Sequence, residues 1–166
     1  MAKARRRSLG QTLVEFSLVL PIFLMVLFGI VDAGRLVYMN TVLSQAAREG
    51  ARVASVEASW VGSSDSSCNS AGGPVCPATT TALRADITAA ANRMVTPFGP
   101  VSLVYLRCDP PGSAPTGTWT DTSCGSHATT NIVSVRVVLT FNPITPVVGQ
   151  LIGSIPLAGA ATMVIN

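Results

Sequence analysis

GQTLVEFSLVLPIFLMVLFGIV, residues Gly10–Val31, is the stretch that decides the architecture. From Phe16 to Val31 it holds no charged residue, and from Gln11 the run reaches 21 residues broken only by Glu15. That is close to the ~20 residues an α-helix needs to cross a hydrocarbon layer of ~30 Å. Lys3, Arg5, Arg6 and Arg7 stand just before it, and cations flanking a first apolar segment stay on the cytoplasmic side. The expected topology is a single pass with the N-terminus inside and the C-terminus outside.

Glu15 is out of keeping with its neighbours. A carboxylate costs roughly 2.5–3.5 kcal/mol at a bilayer centre and less toward the edge, so it is either an interfacial residue at a ragged helix start or a residue with a task. Gly10 lies five positions before it, Phe16 follows it, the leader is short and basic, and the apolar run continues. This arrangement resembles the processing site of type IV prepilins. The resemblance implies cleavage by a membrane prepilin peptidase between Gly10 and Gln11. It also implies an assembly role for Glu15, beside Phe16, as the partner of a neighbouring subunit's new ammonium. Two opposite charges in low dielectric cost far less together than apart.

Outward from the span, DAGRLVYMNTVLSQAAREGARVASVE, residues 32–57, keeps a helical period in Leu36, Leu43, Ala47, Gly50 and Ala54. The helix is expected to continue out of the bilayer. Ser44, Ala47, Ala51, Ala54 and Ala58 add a small-residue stripe. It either lets another backbone approach closely, whether the chain's own sheet or a neighbouring helix, or reflects ordinary alanine helix propensity.

At this point the likeness widens. GQTLVEFSLVLP from Gly10, FGIVDAGRLVY from Phe28 and QAAREGARVAS from Gln45 resemble the N-terminal signature of the TadE/TadG family of pilin-like proteins in tight-adherence, Flp-type pilus systems. Its most distinctive part is the run Arg48, Glu49, Gly50, Ala51 and Arg52. The resemblance covers about a third of the chain, and the short length is closer to TadE than to TadG. It implies a bacterial inner-membrane protein, incorporated in an extracellular pilus or left behind as an assembly factor. Its partners would be the membrane, a prepilin peptidase, other pilus subunits and the pilus secretion machinery.

The remainder reads as one exported α+β domain. Three segments are expected: a leader over 1–10, a membrane and spine helix over 11–57, and the domain over 58–166. Residues 58–78, rich in Ser, Gly and Pro, read as a loop. Residues 79–95 form an amphipathic helix with Leu83, Ile87, Ala90, Ala91 and Met94 on one face, stopped by Pro97, Gly99 and Pro100. Alternation over 101–108, 131–141 and 157–165 predicts three antiparallel strands. Asp109–Thr130 is a long loop, and 142–155, apolar but cut by Pro143, Pro146, Gly149 and Gly153, reads as a membrane-proximal or sheet-capping turn of helix. The family shares such a proline-rich link between its last strands.

Cys68, Cys76, Cys108 and Cys124 all follow the span, and an exported compartment permits disulfides. Three connectivities are possible, of which the sequence-local Cys68–Cys76 and Cys108–Cys124 are favoured. Metal is not expected, since the spacings of eight and sixteen hold no paired C-x-x-C unit and His127 is the single histidine. The formal charge of +3 becomes −1 without the four leader cations, so nothing basic remains to favour nucleic acid.

Asp65, Asp86, Asp109 and Asp121 are scattered singly, Asp109 and Asp121 reading as solvated turn carboxylates in one loop, and Trp60 and Trp119 read as loop anchors or interfacial aromatics. No nucleophile–base set or phosphate loop can be assembled, so neither an enzyme, a cofactor nor a small-molecule substrate is expected. An exported enzyme behind a signal peptide fits poorly. Asp32-Ala33-Gly34 is not a small-x-small cleavage site, and the apolar run exceeds an h-region of about 7–15 residues. The alternative kept is an uncleaved, membrane-anchored surface or binding module.

Overall fold

The computed structural model describes residues 5–110, 119 and 131–165. Among the described residues, three α-helices and three strands follow in the order α1 (Arg5–Glu57), α2 (Thr80–Val95), β1 (Leu103–Asp109), β2 (Ile132–Phe141), α3 (Pro146–Ile152) and β3 (Ile155–Val164). Contacts divide the chain into two units, Met1–Val37 with Asn142–Ile155, and Tyr38–Phe141 with Pro156–Asn166. The boundary within α1 is also where its burial pattern changes.

In the first unit, α1 is apolar and exposed on all sides from Leu13 to Val31. A helix that is apolar all round and finds no protein to cover it is suited to lipid. Among the described residues α1 is the one helix long and apolar enough to cross a membrane. Pro21 lies inside it without ending it, as membrane helices tolerate. The Ser17 hydroxyl is satisfied one turn back, donating to the Val14 carbonyl at 2.8 Å.

In the second unit, α1 becomes one-sided. Met39, Val42, Leu43, Ala46, Ala47, Gly50, Ala51, Ala54 and Ala58 are buried, steps of three and four that draw one stripe along a helix. The small-residue stripe therefore meets the chain's own core. A Cβ on Gly50 would stand 3.0 Å from Ile87 Cγ2 and 3.3 Å from Val135 Cγ1, so α1 there touches both α2 and the sheet. A Cβ on Gly159 would land on the backbone of Leu43 and Ser44. Strand β3 can lie this close to α1 only because residue 159 has no side chain.

Helix α2 starts where Thr79 Oγ1 accepts the Ala82 N–H at 3.2 Å, a side-chain cap for an otherwise orphaned donor. It buries Leu83, Ile87, Ala90, Ala91 and Val95. Met94, expected on that face, is 43 % exposed, and Val95 takes its place because it lies four residues beyond Ala91 and eight beyond Ile87. The sheet has the order β1-β2-β3. Strand β1 runs antiparallel to β2, from Leu103 opposite Val138 to Asp109 opposite Ile132. Ser134 Oγ and Thr162 Oγ1 meet at 3.0 Å between β2 and β3. Val133, Val135, Val137, Leu139 and Phe141 alternate inward from β2. The α+β arrangement of a long apolar helix, a second helix and a three-stranded antiparallel sheet is the one the sequence led us to expect.

Two expectations need correction. Asp109 ends β1 instead of opening the following loop. It is 7 % exposed and accepts from Arg107 Nε at 2.8 Å, so it is not a solvated turn carboxylate. The strands also begin or end up to two residues away from the expected bounds, because ladder pairing and not alternation alone sets where a strand stops.

Candidate functional site

The N-terminal part of α1 presents the residues singled out for processing and assembly. Gly10, Gln11, Glu15 and Phe16 are exposed on the helix, and a Cβ on Gly10 would meet nothing within 4 Å. Packing therefore gives no reason for glycine at position 10. The Gln11 side-chain amide donates to Glu15 Oε1 at 3.3 Å, one helical turn away. This bond lies on the exposed surface of the helix.

Farther along, the Arg48–Arg52 motif divides its residues by helical position. Gly50 and Ala51 are buried, while Arg48 and Arg52 are exposed. Arg52 Nη2 lies 2.7 Å from Glu49 Oε1. That hydrogen bond holds the Glu49 carboxyl below its ordinary range and raises the Arg52 guanidinium above its own. The motif joins a glycine packed against Ile87 and Val135 to an i,i+3 ion pair on the exposed side of the same helix.

Sequence reasoning missed Asp32. It is the first charged residue after the apolar run and is 5 % exposed. Its Oδ1 accepts the Ile144 N–H at 3.2 Å. Its Oδ2 accepts the Thr145 N–H at 3.1 Å and the Thr145 hydroxyl at 2.6 Å. Arg35 Nη1 stands 3.5 Å from Oδ1, one turn on. The donors come from more than one hundred residues away in sequence, so no local pattern could show them. The signal that was present is a carboxylate at the boundary of an apolar run, where an unpaired charge would be costly. Phe28, Val31, Asp32, Ile144 and Thr145 line a cavity of about 330 Å³.

Cys68 and Cys76 are joined, with Cα atoms 5.4 Å apart. Asn69 reinforces the loop, since its Oδ1 accepts the Cys76 N–H at 3.1 Å and its Nδ2 donates to the Cys76 carbonyl at 3.3 Å. Cys108 is disulfide-bonded, and no described cysteine is free. Cys124, Asp121 and His127 lie outside the described residues. Trp119 sits beneath Arg136, whose Cζ is 5.7 Å from the ring centroid. Asp65 Oδ1 accepts the Ser67 N–H at 2.8 Å in a local turn. Among the described residues no three His, Cys, Asp or Glu side chains gather as metal ligands.

No curated protein and no solved structure matches the chain. A family model does, described as TadE-like protein, over residues 10–52. These are the residues that run from the exposed Gly10 through Glu15 and Asp32 to the Arg48–Arg52 motif. The match over that segment is consistent with a TadE/TadG family protein and points to association with a Tad pilus.

Proposed function

We propose that this protein is a pilin-like subunit or assembly factor of a tight-adherence, Flp-type pilus. It is cut after Gly10 by a prepilin peptidase and assembled with other pilus subunits and the secretion machinery through its N-terminal helix. It sits in the bacterial inner membrane as a single pass, N-terminus in and C-terminus out, before any incorporation into a pilus. The observation that carries the reading is the exposed pair Gly10 and Glu15 at the head of an uncovered apolar helix inside the TadE-like segment.

Several physical points support it. Gly10 has no packing partner, yet glycine inside a helix costs about 1 kcal/mol relative to alanine. Its presence makes local unwinding of the Gly10–Gln11 bond easier, which a peptidase requires. A carboxylate held, among the described residues, by a neutral amide within an apolar stretch would gain from a cation, and the ammonium of a freshly cut copy supplies one. The scattered carboxylates and the TadE-like segment favour a structural role over an enzymatic one, with no cofactor, nucleic acid or small-molecule substrate.

A second reading, an uncleaved anchor for a surface or binding module, draws on α1 running unbroken through Gly10. Mass spectrometry of the protein purified from cells carrying the peptidase separates the two. The expected mature chain begins at Gln11, and Gly10→Ala leaves precursor behind. A chain that retains residues 1–10 in those cells would overturn the first reading in favour of the second.

A further inference from the structure

Residues 142–155 belong with the span and not with the sheet that flanks them in sequence. The chain crosses between its two units three times, after Val37, after Phe141 and after Ile155. The returning link carries no charge, and no charged residue follows Arg136 at all. Its side chains Ile144 and Ile152 are 69 % and 60 % exposed, an arrangement that water penalises.

Several backbone groups of the link are paired within the protein. Pro143 and Pro146 have no N–H to satisfy, and the two N–H groups between them, of Ile144 and Thr145, both end on Asp32. The Thr145 hydroxyl ends there too. The Gly149 N–H then meets the Thr145 carbonyl at 2.8 Å, and the Gly153 N–H meets the Gly149 carbonyl at 3.0 Å. Irregular backbone next to hydrocarbon is tolerated only when its polar groups are paired within the protein. Asp32 follows Val31 directly, so the bond to Asp32 fixes Ile144 and Thr145 at the depth where the apolar run ends.

We propose that Ile144–Ile152 is a second membrane contact of this chain: the segment rests in the outer interfacial layer of the bilayer, tied to the end of the span by the Asp32 carboxylate. Ile144 and Ile152 then face acyl chains, and the cavity between Phe28, Val31 and Ile144 is filled by lipid. A short uncharged helix lying in the interface adds apolar burial without crossing, and α3, with seven residues, is far too short to cross. The inference rests on the reading of residues 11–31 as a span.

The test uses the full chain reconstituted in vesicles of phosphatidylethanolamine and phosphatidylglycerol, with p-benzoylphenylalanine placed singly at Ile22, Ile144, Ile152 or Ser64 and the photoadducts identified by mass. Lipid adducts are expected at Ile22, Ile144 and Ile152, at least about tenfold above the exposed control Ser64. Asp32→Ala should lower the adduct at Ile152 by about fivefold while leaving Ile22 unchanged, and the milder Thr145→Val should lower it about twofold. Ile152 at the Ser64 level, or an adduct with a second copy of the chain, would overturn the inference while Ile22 still marks the span. Absence of lipid at Ile22 would overturn the span itself and the inference with it. An Ile152 adduct unmoved by both variants would overturn the role of Asp32.

Discussion

At the scale of single residues, Glu57 is a carboxylate placed against its own charge. Burial at the end of α1, with the Asp86 carboxylate facing it, pushes its pKa up to about 7, and its Oε2 has no hydrogen-bond partner among the described residues. The folded state therefore holds a proton that the unfolded state gives up near the ordinary value of 4.5. Stability is full below that value, falls as pH rises toward 7 and stays lower above it. Because the side chain is half-exposed, solvent screening limits the effect to about 1 kcal/mol. Thermal unfolding in detergent at pH 5 and pH 8 should show Glu57→Gln melting above wild type at pH 8 and level with it at pH 5. Two glycines give a second contrast. At Gly159 an added methyl meets backbone, which cannot give way, so Gly159→Ala should cost about 3 kcal/mol or prevent folding. At Gly50 it meets side-chain methyls of Ile87 and Val135, and alanine's better helix propensity offsets part of the crowding. Gly50→Ala should stay within about 1 kcal/mol of wild type in the same melts.

At the scale of elements, what was legible in the sequence depended on how local the cause was. The apolar run, the outward continuation of α1 and the buried positions Leu43, Ala47, Gly50 and Ala54 follow from one residue's distance to the next, and periodicity shows them. The α2 face was read one residue off at Met94, because a short period cannot say which of two adjacent positions is central. Asp32, Asp109 and Gly159 were invisible as structural residues, since each is explained by a partner in another element: Thr145, Ile132 opposite it on β2, and the backbone of Leu43. The loop over 61–78 lies between these cases. Its composition announces a loop, but its order comes from the Cys68–Cys76 bridge and from Asn69, whose φ of 56° places it in the left-handed region with its amide on Cys76. Closing a loop of this size is worth about 2.5 kcal/mol in chain entropy. In the Cys68→Ser, Cys76→Ser variant, limited proteolysis should nick the chain between Val61 and Ala78 severalfold faster, with α1 and β2 still protected. Asn69→Ala in the oxidised protein should give a smaller acceleration, as the bridge survives.

At the scale of the whole molecule, the protein keeps one half of its longest helix covered and leaves the other half bare. The covered half closes a small core with α2 and the sheet, and the bare half has Glu15 near its start, hydrogen-bonded by the Gln11 amide. If that carboxylate serves to neutralise the ammonium of a cut neighbour, Glu15→Gln should leave insertion and folding intact, since a neutral side chain is easier to place in the bilayer. It should also leave cleavage after Gly10 intact while removing the charge that draws subunits into register. An ion pair in low dielectric loses several kcal/mol when one partner is removed and the other is left buried, so co-purification of tagged with untagged copies, or with pilus partners, should fall at least tenfold at matched abundance. Glu15→Asp keeps the charge on a shorter arm and should retain part of the association, which an effect of side-chain volume alone would not produce. Equal recovery of wild type and Glu15→Gln complexes would remove Glu15 from assembly, and the bare helix would then serve as an anchor that meets only lipid.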